Sequence, residues 1–243
     1  MASDLDAAGL AEVAQQDAWP SNHLILQRLD VRDPADWAAA VGAVVARWGR
    51  LDAALLIAGA LRPGWIAQCD ADAVHLHVDV NVKGVMFGVQ AVAAQLRGQA
   101  LVDGFRGHLV VMASMAALAP IPGLAHYSAS KFAVRAFCMA AAEELRPESI
   151  AVSVLCPDAV ATPMLDLQKH SEAAALTFSG SRVLSVDEVV AALERILVER
   201  PLLVALPAGR GWLARLGDLF PGLGRWIAPS LRKKGERARR LAQ

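Results

Sequence analysis

The sequence predicts an α/β fold, a doubly wound parallel sheet covered by helices on both faces. Three observations carry that reading. Short runs rich in leucine and β-branched residues alternate with longer stretches of helical periodicity, the order of βαβ units. Residues 51–57 form a continuous apolar run of strand length with no polar alternation, as expected of a strand buried on both faces of a parallel sheet. Of 243 residues, 55% are apolar and 20% charged, which supplies a sizeable core and excludes global disorder.

Each element has its own signals. Residues 6–16 (DAAGLAEVAQQ) read as a helix with an acidic start, and 23–29 (HLILQRL) as a strand ending at Asp30-Val31. Pro34–Trp48 places Trp37, Val41, Val44, Val45 and Trp48 at helical spacing and stops at Gly49. The run 51–57 is broken by Ala58-Gly59. A long helix is expected over 77–96, a strand over Gly107–Met112, and a helix over 127–145. A strand at 151–155, a helix at 186–198 and a strand at 202–205 complete the pattern. Residues 165–181 have the mixed, breaker-flanked character of a lid.

Charge and cysteine use narrow the class. Lys+Arg and Asp+Glu are both 24, so the whole chain is no nucleic-acid magnet. The distribution is uneven: residues 207–243 hold nine basic and two acidic residues, net +7, leaving residues 1–206 at −7. The two stretches are expected to be a main domain (1–206) and a basic amphipathic extension (207–243). Cys69, Cys138 and Cys156 are scattered and odd in number, which points to a reducing compartment. The first arginine is Arg28, so no basic n-region precedes an apolar stretch. The apolar run 109–125 is interrupted by Ser114, Pro120 and Pro122 and does not read as a membrane span. A cytoplasmic location is expected.

The only tyrosine, Tyr127, is followed four residues later by Lys131. On a helix these share a face, and an ammonium one turn away favours the phenolate, lowering a pKa ordinarily near 10. A tyrosine tuned in this way can exchange a proton near neutral pH. With five lysines among 243 residues, chance supplies a lysine at that place about 2% of the time. Ser114 lies just past the strand Gly107–Met112, at the carboxyl edge of the sheet where open α/β domains bind ligands. Its hydroxyl there can hydrogen-bond a carbonyl oxygen as charge develops on it.

Ser114, Tyr127-x-x-x-Lys131 and Asn81 in Asn81-Val82-Lys83-Gly84 resemble the catalytic tetrad of the short-chain dehydrogenase/reductase family. Asp30-Val31 after a strand, Ala58-Gly59, and Cys156-Pro157 leading to Thr162-Pro163-Met164 match as well, and the likeness covers roughly residues 1–206. The resemblance implies a Rossmann-like domain and an NAD(P)-linked interconversion of a hydroxyl and a carbonyl on a small substrate. It implies that Tyr127 is the general acid/base, that Lys131 tunes it and bonds the nicotinamide ribose, that Ser114 steadies the substrate oxygen, and that Asn81 holds a water in a proton relay. Asp30 and Val31 would flank the adenine. Ala58, Gly59, Pro157, Val160 and Thr162 would line the rest of the cofactor site. Asp4 would bond the ribose 2′-hydroxyl and repel a 2′-phosphate, which favours NAD over NADP. Helices 77–96 and 127–145 commonly pair across a dimer in this family, so a homodimer or homotetramer is expected.

The departures all fall on cofactor binding. The sequence begins at what reads as the end of a second strand, Ala2-Ser3-Asp4, without the first strand, glycine-rich turn and first helix that hold a dinucleotide pyrophosphate. Gly209-Arg210-Gly211 and Gly222-Leu223-Gly224 have the wrong spacing and context to replace that turn. Leu56-Ile57-Ala58-Gly59 stands where the family usually has Asn-Asn-Ala-Gly, and Asp158 follows Pro157 where glycine is usual. Two further readings therefore stand beside the enzyme: a cofactor-free relic acting as a dimerising scaffold, and a segment of a longer active enzyme. With its neighbours missing, strand 23–29 is expected to slide across and pair directly with 51–57; the alternative is a gap that stays open, with two unpaired edges and a chain unstable alone.

The remaining features admit two readings each. His75 and His77 form an H-x-H pair without a Cys or Glu at ligand spacing nearby, and are expected to edge a helix; no metal is expected. Cys138 sits mid-helix among alanines, as a buried apolar residue. Residues 116–125 (AALAPIPGLA) either line an apolar substrate pocket or form an ordered hydrophobic loop. In the basic extension, Trp212, Leu213, Leu216, Leu219 and Phe220 lie close to one helical stripe, followed by Trp226, Ile227 and Arg232-Lys233-Lys234. That segment either contacts an anionic membrane surface weakly or packs over the substrate cleft with a solvated basic end.

Overall fold

In the computed structural model, which describes residues 1–241 apart from the side chain of Leu223, six parallel strands form two sheets rather than one. Strand β1 (Ala2–Asp4) leads through helix α1 (Ala7–Gln16) to β2 (Leu26–Arg28), and the two strands pair with Ala2 opposite Leu26. Asp6 caps α1 by accepting from the Gly9 N–H at 3.0 Å. The helix expected at Pro34–Trp48 is found over those residues as α2. Asp33 caps its start and Gly49, in the left-handed region, ends it.

The second sheet has the order β3-β4-β5-β6, from β3 (Ala53–Leu56), β4 (Gly107–Met112), β5 (Ile150–Pro157) and β6 (Leu203–Leu206). Between β3 and β4 runs one long helical segment. It comprises α3 (Ala71–Leu76), a π-helical stretch His77–Lys83, and α4 (Gly84–Arg97). Helix α5 (Ala125–Leu145) joins β4 to β5, and α7 (Val186–Glu199) joins β5 to β6 after the short α6 (Pro163–Lys169) and the 3₁₀ segment Glu172–Ser179. Leu109 and Val111 of β4, with Val152 and Val154 of β5, pack with α2, α4 and α5 in the main core. Val110 and Leu155 face the other way, onto Val189, Leu193 and Ile196 of α7.

Two expectations need correction. Strand 23–29 does not pair with 51–57. Its ordered part, β2, pairs with β1, and the Leu29 N–H donates to Asp4 while the Ala2 N–H donates to Ile25. The reason is a clamp at the exit of β2. A Cβ on Gly84 would lie 2.7 Å from Val31 Cγ2, and one on Gly88 would lie 2.6 Å from the Trp37 ring and 2.8 Å from Leu56 Cδ2. Those two glycines let α4 seat against the β2–α2 corner and β3 at once, and Trp37 Nε1 donates to the Val31 carbonyl at 3.0 Å. A sliding β2 would have to break that contact.

The second correction concerns coverage of residues 51–57. Leu56 is buried under α4, but Leu55 and Ile57, on the opposite face of β3, are 40% and 51% exposed. No ladder hydrogen bond joins β3 to β1 or β2, so the outer edge of β3 is bare among the described residues.

The contrast sets a measurable asymmetry. Leu56→Ala should cost about 2–5 kcal/mol in urea unfolding, as a core truncation. Leu55→Asp should change stability by no more than about 0.5 kcal/mol, as a surface change. A loss above 2 kcal/mol for Leu55→Asp would mean that this face is covered in solution.

Candidate active site

The carboxyl edge of the four-stranded sheet gathers the expected tetrad. Ser114, two residues past β4, caps a 3₁₀ turn (Met115–Ala117), and its Oγ accepts from the Ala116 N–H at 3.1 Å. Tyr127 and Lys131 lie one turn apart at the start of α5, both buried. Lys131 Nζ donates to the Met112 carbonyl at 3.0 Å and lies 5.7 Å from the Tyr127 ring centroid. Met112 stands one residue beyond the last β3–β4 pair, so the ammonium satisfies an acceptor that β3 does not reach.

Asn81, fully buried, lies in the π-helical stretch, where local widening of a helix often accompanies function. Its Oδ1 accepts from the Ala60 N–H at 2.7 Å, and its Nδ2 donates to the Ala60 carbonyl at 2.9 Å and to Ser130 Oγ at 3.0 Å. Ser130 in turn donates to the Tyr127 carbonyl at 2.7 Å. Asn81 therefore ties the loop after β3 to the helix that carries Tyr127. Gly59 lies in this knot: a Cβ there would sit 3.4 Å from Lys131 Nζ and 3.5 Å from Asn81 Oδ1.

The electrostatics differ from the sequence expectation. Burial pushes the Tyr127 phenol up to about 12, against the pull of the Ser114 hydroxyl beside it. Burial also brings the Lys131 ammonium down to about 8. The expected lowering of the phenol by Lys131 is absent because loss of water dominates both groups and Nζ is directed at a backbone carbonyl. Around the phenol the walls are apolar: Leu61, Ala116, Leu124 and Ala174 pack with Tyr127, flanked by Ile121 and Met164. Ala174 belongs to the 3₁₀ segment, so the lid expected at 165–181 lies over Tyr127. Gly123, at φ +86°, lets the chain approach the Ala173 backbone more closely than any side chain would permit.

The expected cofactor residues divide into two groups. Ala58 and Gly59 adjoin the tetrad. Thr162 caps α6 and its hydroxyl donates to the Val160 carbonyl at 3.3 Å, and Val160 bridges to Leu184, so both sit at the base of the lid. Asp4, Asp30 and Val31 lie instead at the carboxyl ends of β1 and β2. Asp4 accepts from the Asp6 N–H at 2.9 Å. Asp30 pairs with Arg32 at 2.6 Å, which with its hydrogen bonds lowers the carboxyl to about 2. A surface cleft there is lined by Asp30, Arg32, Asp79, Lys83 and Phe87.

Asp158, after Pro157, is buried against Arg210, Nε to Oδ2 2.5 Å, and Arg210 also donates to Ser179 Oγ at 3.0 Å. Arg210 was legible only as part of a basic segment; the carboxylate in place of glycine was the signal that a cation must approach. Ser130 carried no signal beyond its i+3 spacing from Tyr127. His77 is inward rather than a ligand: Nε2 accepts from the Arg62 N–H at 3.2 Å and Nδ1 meets the Ala73 carbonyl at 2.6 Å.

A family model described as short chain dehydrogenase matches residues 1–173, and the chain belongs to the short-chain dehydrogenase/reductase family. It is 36% identical over 138 residues to a 3-alpha-(or 20-beta)-hydroxysteroid dehydrogenase of Mycobacterium tuberculosis, a match covering 57% of this chain and 51% of that protein. It is 32% identical over 164 residues to a cyclopentanol dehydrogenase of Comamonas testosteroni, covering 68% of this chain and 62% of the relative. The chain thus spans between half and two thirds of the length of these relatives. Among solved structures, a short-chain dehydrogenase/reductase from Burkholderia phymatum in complex with NAD superposes with a TM-score of 0.76 at 23% identity, over 91% of this chain and 84% of that one. That likeness establishes the fold.

The Asn81 knot makes a stability prediction. Asn81→Ala leaves the Ala60 N–H and carbonyl without side-chain partners and should lower unfolding stability by about 1–3 kcal/mol in urea. An unchanged midpoint would mean that water replaces the amide.

Proposed function

We propose that this chain is an NAD(P)-linked oxidoreductase that interconverts a hydroxyl and a carbonyl on a small apolar substrate. The observation that carries the reading is the joint burial of Tyr127 and Lys131 beside Ser114, under an apolar lid. Its relatives point the same way, since the names of the two matched dehydrogenases specify a hydroxysteroid and cyclopentanol. NAD is favoured over NADP by the acidic Asp4 at the end of β1.

The residues present fit such a cofactor unevenly. Lys131, Gly59 and Ala58 suit the nicotinamide ribose, and the cleft at Asp30 suits the adenine. The pyrophosphate would have no glycine-rich turn among the described residues, and the Asp158 carboxylate is paired with Arg210. When bound, a nicotinamide supplies or receives a hydride. The chain's own residues supply the rest. With its pKa near 12 the phenol is protonated at neutral pH, ready to hand its proton to a carbonyl oxygen as negative charge builds there. The Ser114 hydroxyl donates a second hydrogen bond to the same oxygen, and the Lys131 ammonium stabilises the phenolate left behind. For alcohol oxidation the phenol must first lose its proton. The lid excludes water but must open to admit substrate.

Tyr127→Phe should lower any carbonyl-reducing activity at least ~10²-fold. Lys131 is charged below its pKa, so the reduction rate should be level under pH 8 and fall above about pH 8 while Tyr127 stays protonated. Lys131→Met should remove that break. Activity that survives Tyr127→Phe would refute the assignment.

The scaffold reading keeps one observation in its favour: among the described residues no glycine turn stands at the pyrophosphate position. Isothermal titration of these 243 residues with NAD(H) should give weak binding. A dissociation constant in the low micromolar range would mean that another segment supplies the phosphate site. Absence of turnover even at saturating cofactor would favour the scaffold.

A further inference from the structure

Helix α8 (Ala208–Leu219) and helix α9 (Pro221–Leu241) follow β6, and each has an inner side committed to the domain. On α8, Gly211 packs on Ala205 and Leu118, Ala214 joins the main core, and Arg210 holds Asp158. On α9, Gly235 lies against the Ala175 carbonyl of the lid. Arg239 donates to the Lys169 carbonyl at 2.7 Å, and the Arg232 guanidinium lies 4.4 Å over the Trp65 ring. These contacts answer the second of the two sequence readings: the segment does pack over the lid.

The outer sides remain. On α8 they form one stripe of large apolar residues: Trp212, Leu213, Leu216, Leu219, with Phe220 at the cap. Trp212, Leu213 and Leu219 are 65%, 69% and 70% exposed. At helical spacing they fall within about a third of the circumference. Arg215 flanks the stripe with its guanidinium 5.6 Å from the Trp212 ring. On α9 the exposed residues include Trp226, at 79%, Ile227, Leu231 and Leu241, and the cations Arg225, Lys233, Lys234, Arg237 and Arg240. Isolated exposed apolar residues need no explanation, but five on one helical stripe, followed in the chain by a helix with five exposed cations, do.

We propose that α8 and α9 form a docking surface for an anionic lipid bilayer, with the α8 stripe and Trp226 entering the headgroup boundary and the α9 cations meeting lipid phosphates. Tryptophan and leucine with basic neighbours on a helix lying in the interface is the composition that this environment favours. Charge selects the occupant. Arg225, Lys233, Lys234, Arg237 and Arg240 are exposed on α9, so a second copy seated on the same face would set these cations against their like, while an anionic surface is attracted. Among the described residues no helix is long and apolar enough to cross a membrane. Because α9 also lies on the lid over Tyr127, docking would set the substrate entrance beside the bilayer, where apolar alcohols and ketones concentrate.

The test uses the full chain with vesicles of phosphatidylcholine alone or mixed with phosphatidylglycerol. Cosedimentation should occur with the mixed vesicles, weaken as salt rises, and be slight with phosphatidylcholine alone. Brominated lipid should quench part of the tryptophan emission, and Trp212→Phe with Trp226→Phe should remove that quenching. Leu213→Glu with Leu216→Glu, and separately Lys233→Glu with Lys234→Glu, should each lower the partition coefficient roughly tenfold while the circular dichroism stays unchanged. No binding to the anionic vesicles would overturn the proposal. So would binding that the variants leave intact, a dimer in light scattering that Leu216→Glu dissolves, or capture by nucleic acid without capture by vesicles.

Discussion

Two sheets that share no ladder hydrogen bond are held in register by one helix. The π-helical stretch and α4 lie against the β2–α2 corner on one side and β3 on the other, and the missing side chains of Gly84 and Gly88 make that double contact possible. The same helical segment carries Asn81, whose amide binds the Ala60 backbone and reaches Ser130 on the tyrosine helix. Position of the site and position of the N-terminal layer are thus fixed by one element. A methyl at either glycine would press on Val31 or Trp37 and act on both.

The polar geometry of the site is economical. Three of the four polar groups have a backbone partner, Lys131 with Met112, Asn81 with Ala60 and Ser114 with Ala116, while the Tyr127 phenol meets the Ser114 hydroxyl. Such pairing removes the cost of burying them and holds each in a single orientation. What burial then does to the protons is opposite for the two titrating groups, holding the phenol neutral and easing the ammonium toward neutrality. A site in that state favours giving a proton over taking one.

Much of the fold was legible because its signals are local. Pro34–Trp48 has a capping aspartate, a proline in the first turn and a glycine stop, and Gly107–Met112 is a short apolar run between breakers. The clustering of Asn81, Ser114, Tyr127 and Lys131 was legible because their spacing is a motif. What the sequence hid was long-range. The pairing of β1 with β2, the exposure of Leu55 and the ion pair between Asp158 and Arg210 each depend on parts of the chain far apart or on where α4 comes to rest. The direction of the Tyr127 shift was hidden too, since helical spacing reports a neighbouring lysine but not the loss of water around both groups.

The split sheet also has a consequence for how the molecule opens. Local stability follows the density of buried contacts, and the residues up to Val31 contribute little to it: three-residue strands, and on α1 a single buried side chain, Ala14. That layer can part from the rest as a unit, with faster amide hydrogen exchange than β4 or β5, and the clamp at Gly84 and Gly88 is where such a fluctuation must begin. Asp4, Asp30 and Val31 ride on it. Any ligand gripping those residues together with the tyrosine helix would act as a staple between two regions of unequal rigidity, and its affinity would be reduced by the free energy needed to still the softer one.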